Sequence, residues 1–270
     1  MKTFAIKDEL DKVNKPLAYL IYYEKEKHFY IEIEENADPW RLPMLLSTFA
    51  ERGETTVNSY WSKIWVSQRI IPSDRQNLGQ ILKENDLDAY DEFSLLEASL
   101  GRCAQDSFYL ENVASNELPK GFVKRYRYKV EDVIPLDKGS LLVFFRDGCV
   151  KKCDVMVIPV ISKRISAVVG NEKKFNEVAI QTGGYGVSWG ENIDISDENL
   201  YRYGKNVPLT INDFRNFIRY RAVNTAEAAE LLECSRQNIE DLVRRGKLTP
   251  VKTAAKGKLF LKSDIDQRKW

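Results

Sequence analysis

The chain has 270 residues, a length that accommodates two or three domains of ordinary size, each with its own core. Its apolar and charged fractions, 43% and 30%, are those of a globular protein and exclude a disordered or fibrous class. The 41 Lys and Arg nearly cancel the 40 Asp and Glu, so affinity for nucleic acid has to be argued from a local stretch, not from the whole.

Four cysteines (Cys103, Cys149, Cys153 and Cys234) are too few and too scattered to form a disulfide framework. Cys149 and Cys153 stand four apart, but His28 is the sole histidine and no second close ligand pair exists. A structural zinc needs four N or S ligands, so no metal site is expected and the thiols read as small buried groups in a reducing compartment. The opening residues "MKTFAIKDELDKVNK" are charged and lack the apolar core of a signal peptide, and no apolar run approaches a membrane span. The expectation is a soluble cytoplasmic protein with no membrane partner.

In chain order, residues 1–119 come first. "LAYLIYYEKEKHFYIEIE" predicts an antiparallel hairpin turning at Glu24–Lys27, because its Tyr, Ile and Phe suit a pleated, half-buried surface. After Pro39 the period becomes helical. "WRLPMLLSTFAERG" predicts a helix stopped at Gly53, and "VNSYWSKIWVSQRII" one carrying Tyr60, Trp61, Ile64 and Trp65. "SDRQNLGQILKEN" reads as a helix capped by Ser73, and "YDEFSLLEASLG" as another stopped by Gly101. Trp40, Tyr60, Trp61 and Trp65 could form a stacking platform for bases. Aromatics at helical spacing more commonly pack a core, and core is the expectation carried forward. Cys103 and Asp106 lie far in sequence from His28, so no nucleophile–histidine pair is expected.

Residues 120–204 are β-rich. "YKVEDVIPLDKGSLLVFFRDGCVKKCDV" reads as three strands joined by turns at Asp137–Gly139 and Arg146–Gly148. "FNEVAIQTGGYGVSWG" adds a pair of strands around Gly183–Gly184, and "SDENLYRYG" a short helix capped by Ser196. The glycines of "GGYGVSWG" lead into a strand, not into a helix N-terminus, so a hairpin is preferred over a phosphate loop. Phe175, Gly186, Trp189, Asp194, Leu200 and Tyr201 fall on a pattern that resembles a short bacterial domain of unknown function. That resemblance covers about 80 residues. It implies a bacterial or phage source and an antitoxin-like setting beside helix-turn-helix domains, and it brings no catalytic residues.

Residues 205–270 form the third part. "TINDFRNFIRYRAV" begins with Thr210 and Asp213 at capping-box spacing and continues as a helix with Phe214, Phe217 and Ile218 on one side. In "VNTAEAAELLECSRQNIEDLVRRGKL", Thr225 can cap a first helix with Ala226, Ala228, Ala229, Leu231 and Leu232 on its inner side. Ser235 can cap a second helix, with Ile239, Leu242 and Val243 buried and Gly246 as its stop. So short a joint forces the steep crossing of a helix-turn-helix. Arg236, Gln237 and Asn238 then stand at the exposed N-terminal end of the second helix, where such side chains reach base edges in a major groove. The helix start also suits a phosphate. "KLTPVKTAAKGKLFLKSDID" adds two strands around "AAKG", a wing with Lys252, Lys256 and Lys258 placed for the sugar-phosphate backbone. From Arg221 to Trp270 eleven Lys and Arg face seven Asp and Glu, a local net of +4.

The run Thr225, Ala228, Ala229, Leu231, Leu232, Ser235, Arg236, Ile239, Gly246 and Leu248, closed by Ser263–Ile265, resembles the excisionase-type winged helix-turn-helix related to MerR-like regulators. The resemblance implies DNA contacts from Ser235, Arg236, Gln237, Asn238, Arg244, Arg245, Lys247, Lys252, Lys256 and Lys258. Glu233 departs from the family, which usually has Gly in the turn. A left-handed Glu there costs about 1 kcal/mol. Glu240 and Asp241 put negative charge near the reading face.

The expected fold is α+β, with a mixed hairpin-and-helix domain, a small β-rich domain and a C-terminal winged helix-turn-helix. The expected function is sequence-specific binding of double-stranded DNA by a transcriptional regulator, such as an antitoxin-like repressor. Alternatives are an excisionase-like architectural factor and a protein-interaction adaptor. No catalytic activity and no cofactor are expected. One short reading helix contacts few base pairs, so a homodimer or a complex with a second protein, such as a toxin, is expected.

Overall fold

The computed structural model describes residues 1–114, 118, 120–159, 163–190, 193–254 and 257–269, arranged as two units, Met1–Lys124 and Arg125–Trp270. In the first unit the hairpin forms as expected. Strand β2 (Ala18–Tyr23) pairs antiparallel with β3 (His28–Ile33), and Tyr23 faces His28 across the turn. Two flanking strands were not legible in the sequence. They are β1 (Lys2–Asp8), which pairs with β2, and β5 (Phe108–Asn112), which pairs with β1 across about a hundred residues. With the two-residue β4 (Thr56–Val57) they complete a five-stranded sheet in the order β4-β3-β2-β1-β5. Helices α1 (Met44–Glu51), α2 (Ser59–Ser67) and α4 (Glu92–Ser99) supply Leu46, Trp65, Phe93 and Leu96 to its core, against Phe4, Ile6, Leu20 and Ile31.

Two expectations for this unit need correction. Helix α3 (Leu78–Glu84) starts after Asn77, and Ser73 sits in a turn upstream, so Ser73 caps nothing. Of the aromatic cluster only Trp65 is core, while Trp40, Tyr60 and Trp61 are 90%, 56% and 41% exposed. The helix buries Ser62, Trp65 and Val66 on one side, which turns Tyr60 and Trp61 outward, where their rings meet edge to face at 5.2 Å. Cys103 and Asp106 serve packing. Both accept hydrogen bonds from the Arg69 guanidinium, at 3.1 and 2.7 Å, and that guanidinium lies over the Trp65 ring.

In the second unit the tail of helix α5 (Lys120–Tyr126) leads into a meander of β6 (Val130–Leu136), β7 (Ser140–Phe145) and β8 (Val150–Asp154). The turns fall where Gly139 and Gly148 adopt positive φ, as read from the sequence. Beyond the short helices α6 (Lys163–Val169) and α7 (Glu172–Phe175), β9 (Ala179–Ile180), β10 (Gly186–Ser188) and β11 (Asp194–Ser196) form a second small sheet. The hairpin around Gly183–Gly184 is confirmed, with Val187 facing Ile180. Helix α8 (Asp197–Tyr203) begins at its Ser196 cap, and β12 (Lys205–Asn206) adds to the edge of β8.

The residues that carried the resemblance in this region have physical reasons to be there. A Cβ on Gly186 would stand 2.2 Å from the Ile195 carbonyl oxygen, so only glycine lets β10 approach β11. The Trp189 indole N–H donates to the Phe175 carbonyl at 2.9 Å, and the two rings stack at 5.6 Å. Leu200 is fully buried, and the Tyr201 hydroxyl donates to the Asp147 carboxylate at 2.8 Å.

Helix α9 (Ile211–Arg221) starts in the capping box read from the sequence. The Asp213 carboxylate accepts from the Thr210 N–H at 2.8 Å, and Thr210 Oγ1 accepts from the Asp213 N–H. These bonds hold the Asp213 carboxyl below its ordinary range. Phe217 and Tyr220 pack on Ile134, Leu136 and Leu142 from the sheet, and Phe217 meets Phe144 edge to face. The β-rich segment and the C-terminal segment therefore share buried surface through α9. Among the described residues, no helix is long and apolar enough to cross a membrane.

Candidate nucleic-acid interface

Helix α10 (Thr225–Leu231) is capped one residue earlier than its sequence suggests. Asn224, not Thr225, is the cap. Its side-chain oxygen accepts from Ala226 and Glu227 N–H at 2.8 and 3.1 Å, and the Glu227 carboxylate accepts from the Asn224 N–H at 2.8 Å. Asn-x-x-Glu has the spacing of a reciprocal capping box, which leaves Thr225 as the first helical residue.

The helix ends at Leu231 with Leu232 as its C-cap, and the chain reverses through Glu233, whose φ is +51°. The Cys234 N–H reaches back to the Ala229 carbonyl and the Glu233 N–H to that of Glu230, the paired bonds of a Schellman ending. The same pattern closes helix α11 (Arg236–Arg244), with Lys247 N–H to Leu242, Gly246 N–H to Val243 and Gly246 at φ +66°. Within these two helices the motif thus ends one with the residue that favours it and the other without. Replacing Glu233 with Gly is expected to raise the stability of this module by about 0.5–1 kcal/mol, because glycine carries no left-handed penalty. Urea denaturation of the full chain, followed at the α10–α11 peptides by hydrogen exchange, checks it.

Ser235 caps α11 by accepting from the Asn238 N–H at 3.2 Å. Ile239 is fully buried with Val223, Ala228, Ala229, Leu248, Phe260 and Ile265, and the absence of side-chain bulk at Ala228 lets the two helices cross closely. The wing forms from β14 (Lys252–Ala254) and β15 (Gly257–Leu261). It is wider than the sequence indicated, because β13 (Ala222–Asn224) also pairs with β15, Val223 facing Phe260. Helix α12 (Lys262–Asp266) closes the module.

Ser235, Arg236, Gln237 and Asn238 are exposed at the start of α11, and nothing among the described residues covers them. Arg244, Arg245 and Lys247 are exposed at its far end, and Lys252 is exposed on the wing. Lys256 lies outside the described residues. Two cations have carboxylate partners on the reading helix itself: Arg244 pairs with Asp241, and Lys258 on the wing pairs with Glu240. Exposed pairs of this kind contribute about 0–1 kcal/mol, less than a phosphate contact in a wet groove can replace. The Lys258–Glu240 contact also bridges wing to helix. The backbone carbonyl of Lys247 accepts from Arg268.

A buried charge cluster behind the module escaped sequence reading. Arg221, the last residue of α9, is 3% exposed. It pairs with Asp132 of β6 and approaches Asp266 of α12 at 3.9 Å. Burial pushes the Asp132 carboxyl above its ordinary range, and Arg221 opposes that shift. Nearby, burial lowers the Lys262 ammonium and raises the Asp264 carboxyl. An Arg at a helix end reads in sequence as an ordinary dipole partner. Its acidic partners are 89 residues upstream and 45 downstream, with no spacing signal to join them. Among the described residues, no three His, Cys, Asp or Glu gather as a metal site.

Two helices joined by a left-handed corner, an exposed polar helix start and a three-stranded wing define a winged helix-turn-helix module. Residues 223–270 match the family profile of a helix-turn-helix domain, and residues 130–206 match that of a protein family of unknown function, DUF2442. No curated protein and no solved structure matches the chain.

Proposed function

We propose that this chain is a sequence-specific DNA-binding regulator, a binding protein rather than an enzyme. In this reading α11 enters the major groove of double-stranded DNA, with Arg236, Gln237 and Asn238 at base edges. Arg245, Lys247 and Lys252 lie along the phosphates. The observation that carries it is the open N-terminal end of α11, whose Arg, Gln and Asn side chains are exposed beside a cationic wing. The remainder of the chain serves association, in the manner of an antitoxin-like repressor that grips a partner protein in a bacterial or phage setting.

A salt-titrated binding assay on genomic fragments upstream of the gene tests the reading. One fragment should bind at least a thousandfold tighter than random duplex, the usual lower bound for specific sites. Replacing Lys252 with Ala should weaken all duplexes alike and reduce the slope of log K against log salt by about one unit. Equal, weak binding to every fragment would overturn it. The acidic partners of Arg244 and Lys258 would then favour a module that contacts protein.

A further inference from the structure

The wing has two sides, and its lysines are divided between them. Side chains alternate along a strand, so Lys258 shares the inner side of β15 with Phe260, which is fully buried in the cluster that holds Ile239. Lys252 stands opposite Leu259 in register, and both are exposed on the outer side. The Lys258 side chain is accordingly only 23% exposed and reaches the Glu240 carboxylate of α11. Helical spacing brings a second carboxylate onto the same surface. Ile239, Leu242 and Val243 set the inner side of α11, which leaves Gln237, Asp241 and Arg244, at i, i+4 and i+7, on the outer side. There Asp241 holds Arg244. Glu240 lies one turn beyond Arg236 and is exposed with it.

We infer that Glu240 and Asp241 are specificity-determining residues: they withhold Lys258 and Arg244 from the phosphates of an arbitrary duplex, so that charge alone does not secure binding. Affinity for random sequence comes from cations that neutralise phosphates and release counterions. A cation already held by a carboxylate contributes little to it, because the pair must first break. The carboxylate is then left bare against a polyanion. A site read by α11 offers something in exchange, since in the major groove a carboxylate accepts from the exocyclic amine of a cytosine. The freed Lys258 and Arg244 then turn to phosphates. Lys252 takes no part in this exchange, because its strand position puts it on the other side of the wing. This role rests on the DNA-binding reading, and the arms of its test separate the two.

Affinities of the full chain for a random-sequence duplex and for the fragment it selects are titrated against salt in the wild type, E240Q and D241N. Both changes remove a charge at nearly constant shape and leave the Ser235 cap and the buried Ile239 in place. Each should tighten binding to random duplex by up to about fivefold, the worth of one exposed ion pair. Each should also steepen the slope of log K against log salt by about one unit. The selected fragment should gain less, so its advantage over random duplex falls. K258Q should cost the wild type less random-duplex affinity than K252Q does, and should cost the E240Q variant as much. Loss of negative charge without release of a lysine would make the K258Q cost the same in both backgrounds. Random-duplex affinity that stays unchanged or falls in either variant, equal gains on the two duplexes, or a K258Q cost independent of Glu240 would each overturn the inference. A wild type that selects no fragment ends the DNA-regulator reading instead. The random-duplex and K258Q arms then decide alone: a gain tied to Lys258 keeps the two carboxylates as guards of the cations, and no gain removes that role.

Discussion

Replacing Arg221 with Met is expected to destabilise the second unit by about 3–5 kcal/mol, the usual cost of removing one member of a buried ion pair. The magnitude comes less from the lost attraction than from what stays behind. Asp132 is 4% exposed on β6, and without the guanidinium its carboxylate is an uncompensated charge beneath α9. Asp266 keeps Lys269 at 3.1 Å and is less affected. Hydrogen exchange at β6 and α9 reads the change as local opening free energy. A loss under 1 kcal/mol would place the pair with ordinary surface contacts.

The pH dependence has a definite sign. Burial already raises the Asp132 carboxyl above its unfolded value, and loss of Arg221 raises it further. A raised carboxyl favours the fold when protonated, and that contribution is lost as pH rises through the folded value. The deficit of the Met variant should therefore shrink on acidification. A second substitution, Asp132 to Leu, should restore most of the loss at neutral pH, because an apolar pair avoids the desolvation that the ion pair bears.

The second large effect falls on recognition. Replacing Arg236 with Ala should cost about 1–3 kcal/mol of discrimination between the preferred site and single-base variants, roughly five- to 150-fold in relative affinity. Binding to random duplex should fall only by the share of one cation. Competition binding with every single-base variant of the selected fragment measures it. The expected signature is relaxed preference at one position. A uniform loss across all variants would place Arg236 on a phosphate, the behaviour expected of Lys252. The Ser235 cap stays intact in this variant, since it bonds the Asn238 backbone and not Arg236.

Where the sequence was legible, the signals were short in range. The β2–β3 hairpin, the meander turns, the Ser196, Thr210 and Ser235 caps and the wing are each specified within a dozen residues by period, turn glycine or capping side chain. Such signals are still ambiguous by a position. Asn224 and Thr225 are both good caps, and the reciprocal bond from Glu227 decides between them. Glu233 reads as a misfit through the family resemblance, which has Gly in this turn, and its φ of +51° is the left-handed corner that chirality makes costly for a side chain. For Trp40, Tyr60 and Trp61 the core expectation fails. Helical spacing states which residues share a face, not whether that face meets a core or water.

The amino-acid sequence alone determined the helix-turn-helix with its exposed Arg236, Gln237 and Asn238, since caps, crossing and polar face are all set by neighbours along the chain. Only tertiary structure decided that β1 and β5 close the first sheet, that β13 widens the wing, and that α9 lies on β6 with Arg221 between Asp132 and Asp266. Those pairings join residues from a few dozen to about a hundred positions apart. They depend on which buried surfaces and charges find each other after collapse, and no local periodicity records that choice.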